Sequence, residues 1–138
     1  MEETHSGLIV LTGGGNGPLD QAIRIGQGGF AEKRIERMAG LLGDRLYVEL
    51  QRHHAIEEQR AEPELIDLAY RHGLPLVATN EAFFPKRGDY EAHDALIAIA
   101  EGSVVAEENR RRLTAEHYFK SRAEMVELFA DLPEATDN

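Results

Sequence analysis

Two stretches of the sequence bring together side chains able to do acid, base or metal chemistry. In VELQRHH, a carboxylate, Glu49, is followed closely by the imidazoles of His53 and His54. In LPLVATNEAFFPKRGDYEAHDALIAI, Asn80 and Glu81 follow an apolar run and His93 comes further along. Carboxylates and imidazoles are ligands for zinc or manganese and also act as general acids and bases. The same residues have plainer uses. A carboxylate after a strand is often a solvated loop residue, and a histidine on an apolar helix face is often a packing residue. Two further stretches invite a ligand and do not hold one in the expected form. Thr12-Gly13-Gly14-Gly15-Asn16-Gly17-Pro18 suggests a phosphate loop, yet the third glycine of a dinucleotide fingerprint falls on Pro18 and no Gly-Lys-Ser/Thr occurs, which predicts a tight connection instead. Arg110-Arg111-Arg112 is the one dense basic spot, and Glu107 and Glu108 stand beside it as ion-pair partners in a solvated loop.

These side chains need elements to hold them. Leu76 to Thr79, bounded by Gly73-Leu74-Pro75, reads as a short strand buried on both faces, with Asn80 and Glu81 at its end. Pro85 to Gly88 turn the chain toward Asp89, the predicted N-cap of a helix. On that helix His93, Leu96, Ile97 and Ala100 share one face, predicted to pack on the sheet. Arg45 to Leu50 reads as another strand, with Leu46, Val48 and Leu50 on one face and Tyr47, Glu49 and Gln51 on the other. If helices cover the aliphatic face, Glu49 points to the interior and needs a cation there: a metal, an Arg or Lys, or a histidine.

Leu8 to Leu11 reads as the first buried strand, with a helix starting near Pro18. From Phe30 to Leu42 the residues Ala31, Ile35, Met38, Ala39 and Leu42 trace a helical stripe that Gly43-Asp44 ends. Glu57 to His72 is predicted helical, with Pro63 restarting or kinking it. Ser103 to Leu113 is a polar loop, Thr114 to Phe119 a short turn or helix, and Ser121 to Glu124 a capping box opening a helix with Met125, Leu128 and Phe129 on one side. The polar residues Met1 to Ser6 read as frayed or helical. Strands alternating with helices give an α/β class with a mostly parallel sheet.

Composition narrows the classes. The 138 residues, 42% apolar and 29% charged, are enough for one domain with its own core. No apolar run approaches the length of a membrane span and no basic-then-apolar leader opens the chain, so a cytoplasmic location is expected. The absence of cysteine excludes disulfides, thiolate metal sites and a cysteine nucleophile. A net charge of −10 repels a phosphate backbone, which argues against a nucleic-acid clamp on this segment.

Three motifs in this order, VELQRHH, VATN with AHDALIAI, and YFKS with EMVELFADLPEA, resemble the polymerase-and-histidinol-phosphatase (PHP) domain of the bacterial replicative DNA polymerase III alpha subunit. The matching wording runs from about Gly7 to Asn138. The resemblance implies that residues 1 to 138 are the C-terminal portion of a PHP domain, a partial (β/α) barrel whose earlier strands and opening histidine pair lie upstream. It implies a parent with DNA polymerase activity, its magnesium-dependent site and its DNA contacts lying elsewhere. The proofreading exonuclease subunit and other replicase subunits become expected partners. Glu49, His53 and Glu81 correspond to metal-ligand positions, for zinc or manganese in an intact domain. The family usually has Asp and His where this chain has Glu81 and Phe83, and Phe cannot ligate a metal, so a degenerate site without a cofactor is expected. The rival reading is a metal-dependent phosphoesterase of the PHP superfamily. Composition alone would also allow an unrelated α/β binding module. A lone piece of such a barrel, with an uncovered sheet edge, is expected to self-associate.

Overall fold

The computed structural model describes residues 5 to 138. Three parallel strands, β1 (Val10–Leu11), β2 (Leu46–Leu50) and β3 (Leu76–Ala78), lie in the order β1-β2-β3. Among the described residues six α-helices accompany them: α1 (Pro18–Arg24), α2 (Gly28–Leu42), α3 (Ile56–Arg71), α4 (Tyr90–Ala100), α5 (Arg122–Leu128) and α6 (Glu134–Asp137). The register sets Val10 opposite Leu46, and Val48, Glu49 and Leu50 opposite Leu76, Val77 and Ala78. The α/β class with parallel strands therefore stands as read from the sequence.

The core lies between β2 and helices α1 to α3. Leu46, Val48 and Leu50 meet Leu19, Ala31, Ile35, Leu65 and Leu68, all fully buried or nearly so. The helix expected from Glu57 runs as one unbroken piece, Ile56–Arg71, through Pro63. A proline inside a helix forfeits a hydrogen bond at a cost of about 3 kcal/mol. Burial of Ala61, Leu65, Leu68 and Ala69 along one face outweighs that loss.

The periphery departs from the expectations. β1 has only two residues rather than four, and Leu8, Ile9 and Leu11 are exposed. An edge strand with one partner has nothing to cover its second side. β3 is buried at Leu76 but half-buried at Val77 and Ala78. Helix α4 does not present Leu96 and Ala100 to the sheet. Its buried residues are Asp94 and Ala98, while Leu96 and Ile99 are 62% and 75% exposed, because α4 lies outside the core cluster. Asp89 takes the N-cap position, yet its carboxylate reaches back to the Lys86 amide at 3.1 Å instead of into the helix. The capping box at Ser121 forms as predicted: the Glu124 amide donates to Ser121 Oγ and the Ser121 amide to Glu124 Oε2. The short final helix α6, which the sequence reading lacked, packs against β3.

Candidate functional site

The carboxyl ends of the three strands converge through side chains that the local sequence places there. Glu49 sits one residue before the end of β2, and Thr12 and Thr79 each follow the last residue of a flanking strand. The Glu49 amide donates to Thr12 Oγ1 at 2.9 Å. The Glu49 carboxylate accepts from the Gly13 amide at 2.9 Å through Oε2 and from the Thr79 hydroxyl at 2.5 Å through Oε1. The Gln51 side chain donates to Thr79 Oγ1 at 3.1 Å. Glu49 thus points inward and is buried, as its place in the strand predicts. Its partners are neutral donors rather than the expected cation, and such donors are sufficient to hold a buried carboxylate.

The glycine-rich turn is shaped by this packing. A Cβ on Gly14 would lie 2.5 Å from the Gln51 side chain, and one on Gly17 would lie 2.3 Å from the Thr12 carbonyl oxygen. Gly17 excludes larger residues by its close approach to backbone, and Gly14 by its left-handed φ of 52°.

His53 lies just beyond β2 and is fully buried. Glu58, in the first turn of α3, grips it twice: Oε1 is 2.7 Å from His53 Nδ1 and Oε2 accepts from the His53 amide at 2.6 Å. Burial alone would raise the Glu58 carboxyl, and the hydrogen bonds from the His53 ring and amide override it, holding the group below its usual value. The His53 ring stacks on that of His117, with centroids 4.0 Å apart and planes 12° from parallel. Burial, with the neighbouring His53, drives His117 down to about 4, so this ring is neutral at neutral pH. His53 Nε2 is buried and has no hydrogen-bond partner.

Phe83 takes up the space beside these rings. Its ring centroid is 5.8 Å from that of His117 and 5.9 Å from that of His93, and Phe84 lies 5.3 Å from His93. His93 is accordingly part of an aromatic cluster. Asn80 serves as a brace, donating to the Tyr118 carbonyl at 2.7 Å and accepting from Lys120 Nζ at 3.3 Å. Glu81 is exposed and lines an open groove of about 310 Å³ together with Gln51, Glu58, Arg111 and His117. Neither Glu49 nor His53 lines that groove. His54 is exposed and has a left-handed backbone, φ 62°.

As arranged here, Glu49, His53 and Glu81 do not present a common coordination sphere. Among the described residues the only three-ligand grouping is Glu32 and Glu36 of α2 with His72, which caps the C-terminus of α3. There Glu32 already pairs with Arg71. Glu49 has both oxygens engaged, His53 Nδ1 is committed to Glu58, and Phe83 offers no donor. The orphaned His53 Nε2 suits a ligand, since a histidine held by a carboxylate through Nδ1 has its other nitrogen free.

Two residues escaped the sequence reading. Asp20, in the first turn of α1, is 4% exposed with one oxygen unpartnered. Burial first, and then the Glu49 and Glu58 charges, push it up to about 7 against its own backbone hydrogen bond and Arg24. Nothing in PLDQ distinguishes it from an ordinary acidic residue favoured near a helix N-terminus. His117 lies just before YFKS, and its loop reaches His53 through tertiary contacts alone: the Thr114 hydroxyl donates to the His53 carbonyl at 2.6 Å, and Tyr118 forms a parallel bridge with Phe84. The basic cluster is also placed differently. Arg110 pairs with Asp94 at 2.8 Å rather than with Glu107 or Glu108, and Arg112 donates to the carbonyls of Val105 and Glu107.

No protein-family model matches the chain. Over all 138 residues it is 50% identical to the DNA polymerase III subunit alpha of Caulobacter vibrioides, covering 12% of that protein. The corresponding subunits of Rickettsia bellii and Pseudomonas aeruginosa are each 37% identical across the whole chain and again covered for 12% of their length. The chain thus spans about one eighth of the relatives it matches, and the resemblance read from its motifs is borne out for that subunit.

Proposed function

We propose that this chain is a segment of a bacterial DNA polymerase III alpha subunit, a cytoplasmic replicase, and that its work there is to scaffold. The supporting observation is the 50% identity to one such subunit along all 138 residues. In this reading the segment is the C-terminal portion of a PHP-type domain and its three parallel strands belong to a larger (β/α) barrel. Template-directed nucleotide addition, with magnesium and DNA, belongs to other parts of the parent. A net charge of −10 suits that division, because it repels a phosphate backbone. The metal site is degenerate and the segment needs no cofactor of its own. The proofreading exonuclease subunit is the partner this region would offer a surface to.

The whole coding frame provides the test. A frame extending into a polymerase domain with paired aspartates, preceded by a His-x-His segment, is expected. A frame confined to these 138 codons overturns the reading.

A second reading has one observation in its favour. The Glu58–His53 pair with a free Nε2 fits a ligand of a metal-dependent phosphoesterase, in which Glu49 and Glu81 would join it and the metal would activate water against a phosphate. Manganese-dependent hydrolysis of p-nitrophenyl phosphate, abolished in His53→Ala, would establish that reading; no turnover above buffer removes it.

A further inference from the structure

We propose that the Glu49 carboxylate is a staple that ties the carboxyl ends of all three strands together by hydrogen bonds, in the position where the family resemblance puts a metal ligand. The inference rests on the strand-end geometry alone and is independent of whether the chain is part of a replicase.

A parallel sheet has no hairpins to join neighbouring strands, so each pair is held by its ladder and by side chains alone. Here the ladder is short: β1 has two residues and β3 three. Glu49 on the central strand reaches both neighbours at once. Toward β1 it makes a reciprocal pair, its amide donating to Thr12 Oγ1 and its carboxylate accepting from the Gly13 amide, each at 2.9 Å. Toward β3 it accepts from the Thr79 hydroxyl at 2.5 Å, and the Gln51 side-chain amide donates to that hydroxyl oxygen at 3.1 Å. Both oxygens of the Glu49 carboxylate therefore have donors within the chain, and Thr12 is shielded from water at 2% exposure. Bonds to an ionised acceptor are the stronger kind. A metal ion would have to displace at least one of these donors, and among the described residues Glu49 belongs to no grouping of three ligand atoms close enough to share an ion.

The test uses the 138-residue chain in thermal unfolding, with and without EDTA or added zinc. EDTA and zinc are expected to leave Tm unchanged. Glu49→Gln, which exchanges one acceptor for a donor, and Thr79→Val are each expected to lower Tm by roughly 5 °C or more. The double variant should lose clearly less than the sum, because both changes break the same bond. Thr79→Ser, which keeps the hydroxyl, should recover most of the loss. If the variants fail to fold, exchange of the Gly13 amide in the unaltered chain still decides the matter: slow exchange that EDTA does not hasten supports the staple. A Tm that falls on adding EDTA, one equivalent of zinc lost in Glu49→Gln but kept in Thr79→Val, a rapidly exchanging Gly13 amide, or additive losses in the double variant would each overturn it.

Discussion

At the scale of single residues, the buried polar groups carry the specific behaviour of this chain. Asp20 and His117 titrate in opposite senses. A carboxyl raised to about 7 binds its proton in the folded state while the unfolded chain holds it only below about 4, so Asp20 adds stability as pH falls from 7 toward 4. An imidazole lowered to about 4 leaves the unfolded chain to take up the proton first, so His117 removes stability as pH falls from 6.5 toward 4. The two slopes oppose each other over the same window. Urea unfolding across that range should show a shallow pH dependence for the unaltered chain, a loss of stability toward pH 4 in Asp20→Asn, and a gain toward pH 4 in His117→Phe. Equal profiles for all three would refute the assignment. Arg52 is the second residue of consequence. Its guanidinium binds Glu62 at 2.7 Å and Asp131 at 2.6 Å, donates to the Leu128 carbonyl and lies 4.4 Å from the centre of the Phe129 ring. Replacing it by Met should cost about 1 to 3 kcal/mol, read from the midpoint of urea unfolding, because three acceptors lose their donor together.

At the scale of elements, burial divides the helices into two kinds. Helix α3 lays Leu65, Leu68 and Ala69 into the core at no more than 2% exposure, whereas α4 leaves Leu96 and Ile99 mostly in water. Leu68→Ala should therefore cost about 2 to 5 kcal/mol and Leu96→Ala about 0.5 kcal/mol or less in the same measurement. Similar losses at both positions would mean that α4 is packed in solution. Much of this division was legible in advance. The stripe Ala31, Ile35, Leu42 and the alternation Leu46, Val48, Leu50 identify α2 and β2, since each meets its neighbours at one fixed period. Helix α4 was misread for a physical reason: periodicity shows that a face is apolar, and says nothing about whether another element reaches it.

For the molecule as a whole, the apolar surface at β1 and α4 is what remains to be explained. Ile9 is 69% exposed, Ile99 75% and Val104 66%. A chain with an open parallel edge and such residues in water is prone to pair with itself. Size-exclusion with light scattering should show an apparent mass rising with concentration, and Ile9→Lys should reduce that rise. A constant monomer mass across the range would remove the expectation. No described helix is long and apolar enough to cross a membrane.

The sequence by itself determined the α/β class, the central strand with Glu49 inward, the tight glycine turn, the capping box at Ser121 and the kinship with the polymerase subunit, because all of these are written in spacing of a few residues or in motif wording. The tertiary structure alone decided who meets whom: Gly13 and Thr79 on Glu49, Glu58 on His53, His117 stacked on His53, Arg110 on Asp94 and Asp20 buried near two other carboxylates. Most of these pairings join residues from different strands, helices or loops, and all of them arise from the packing of elements, which local pattern does not encode.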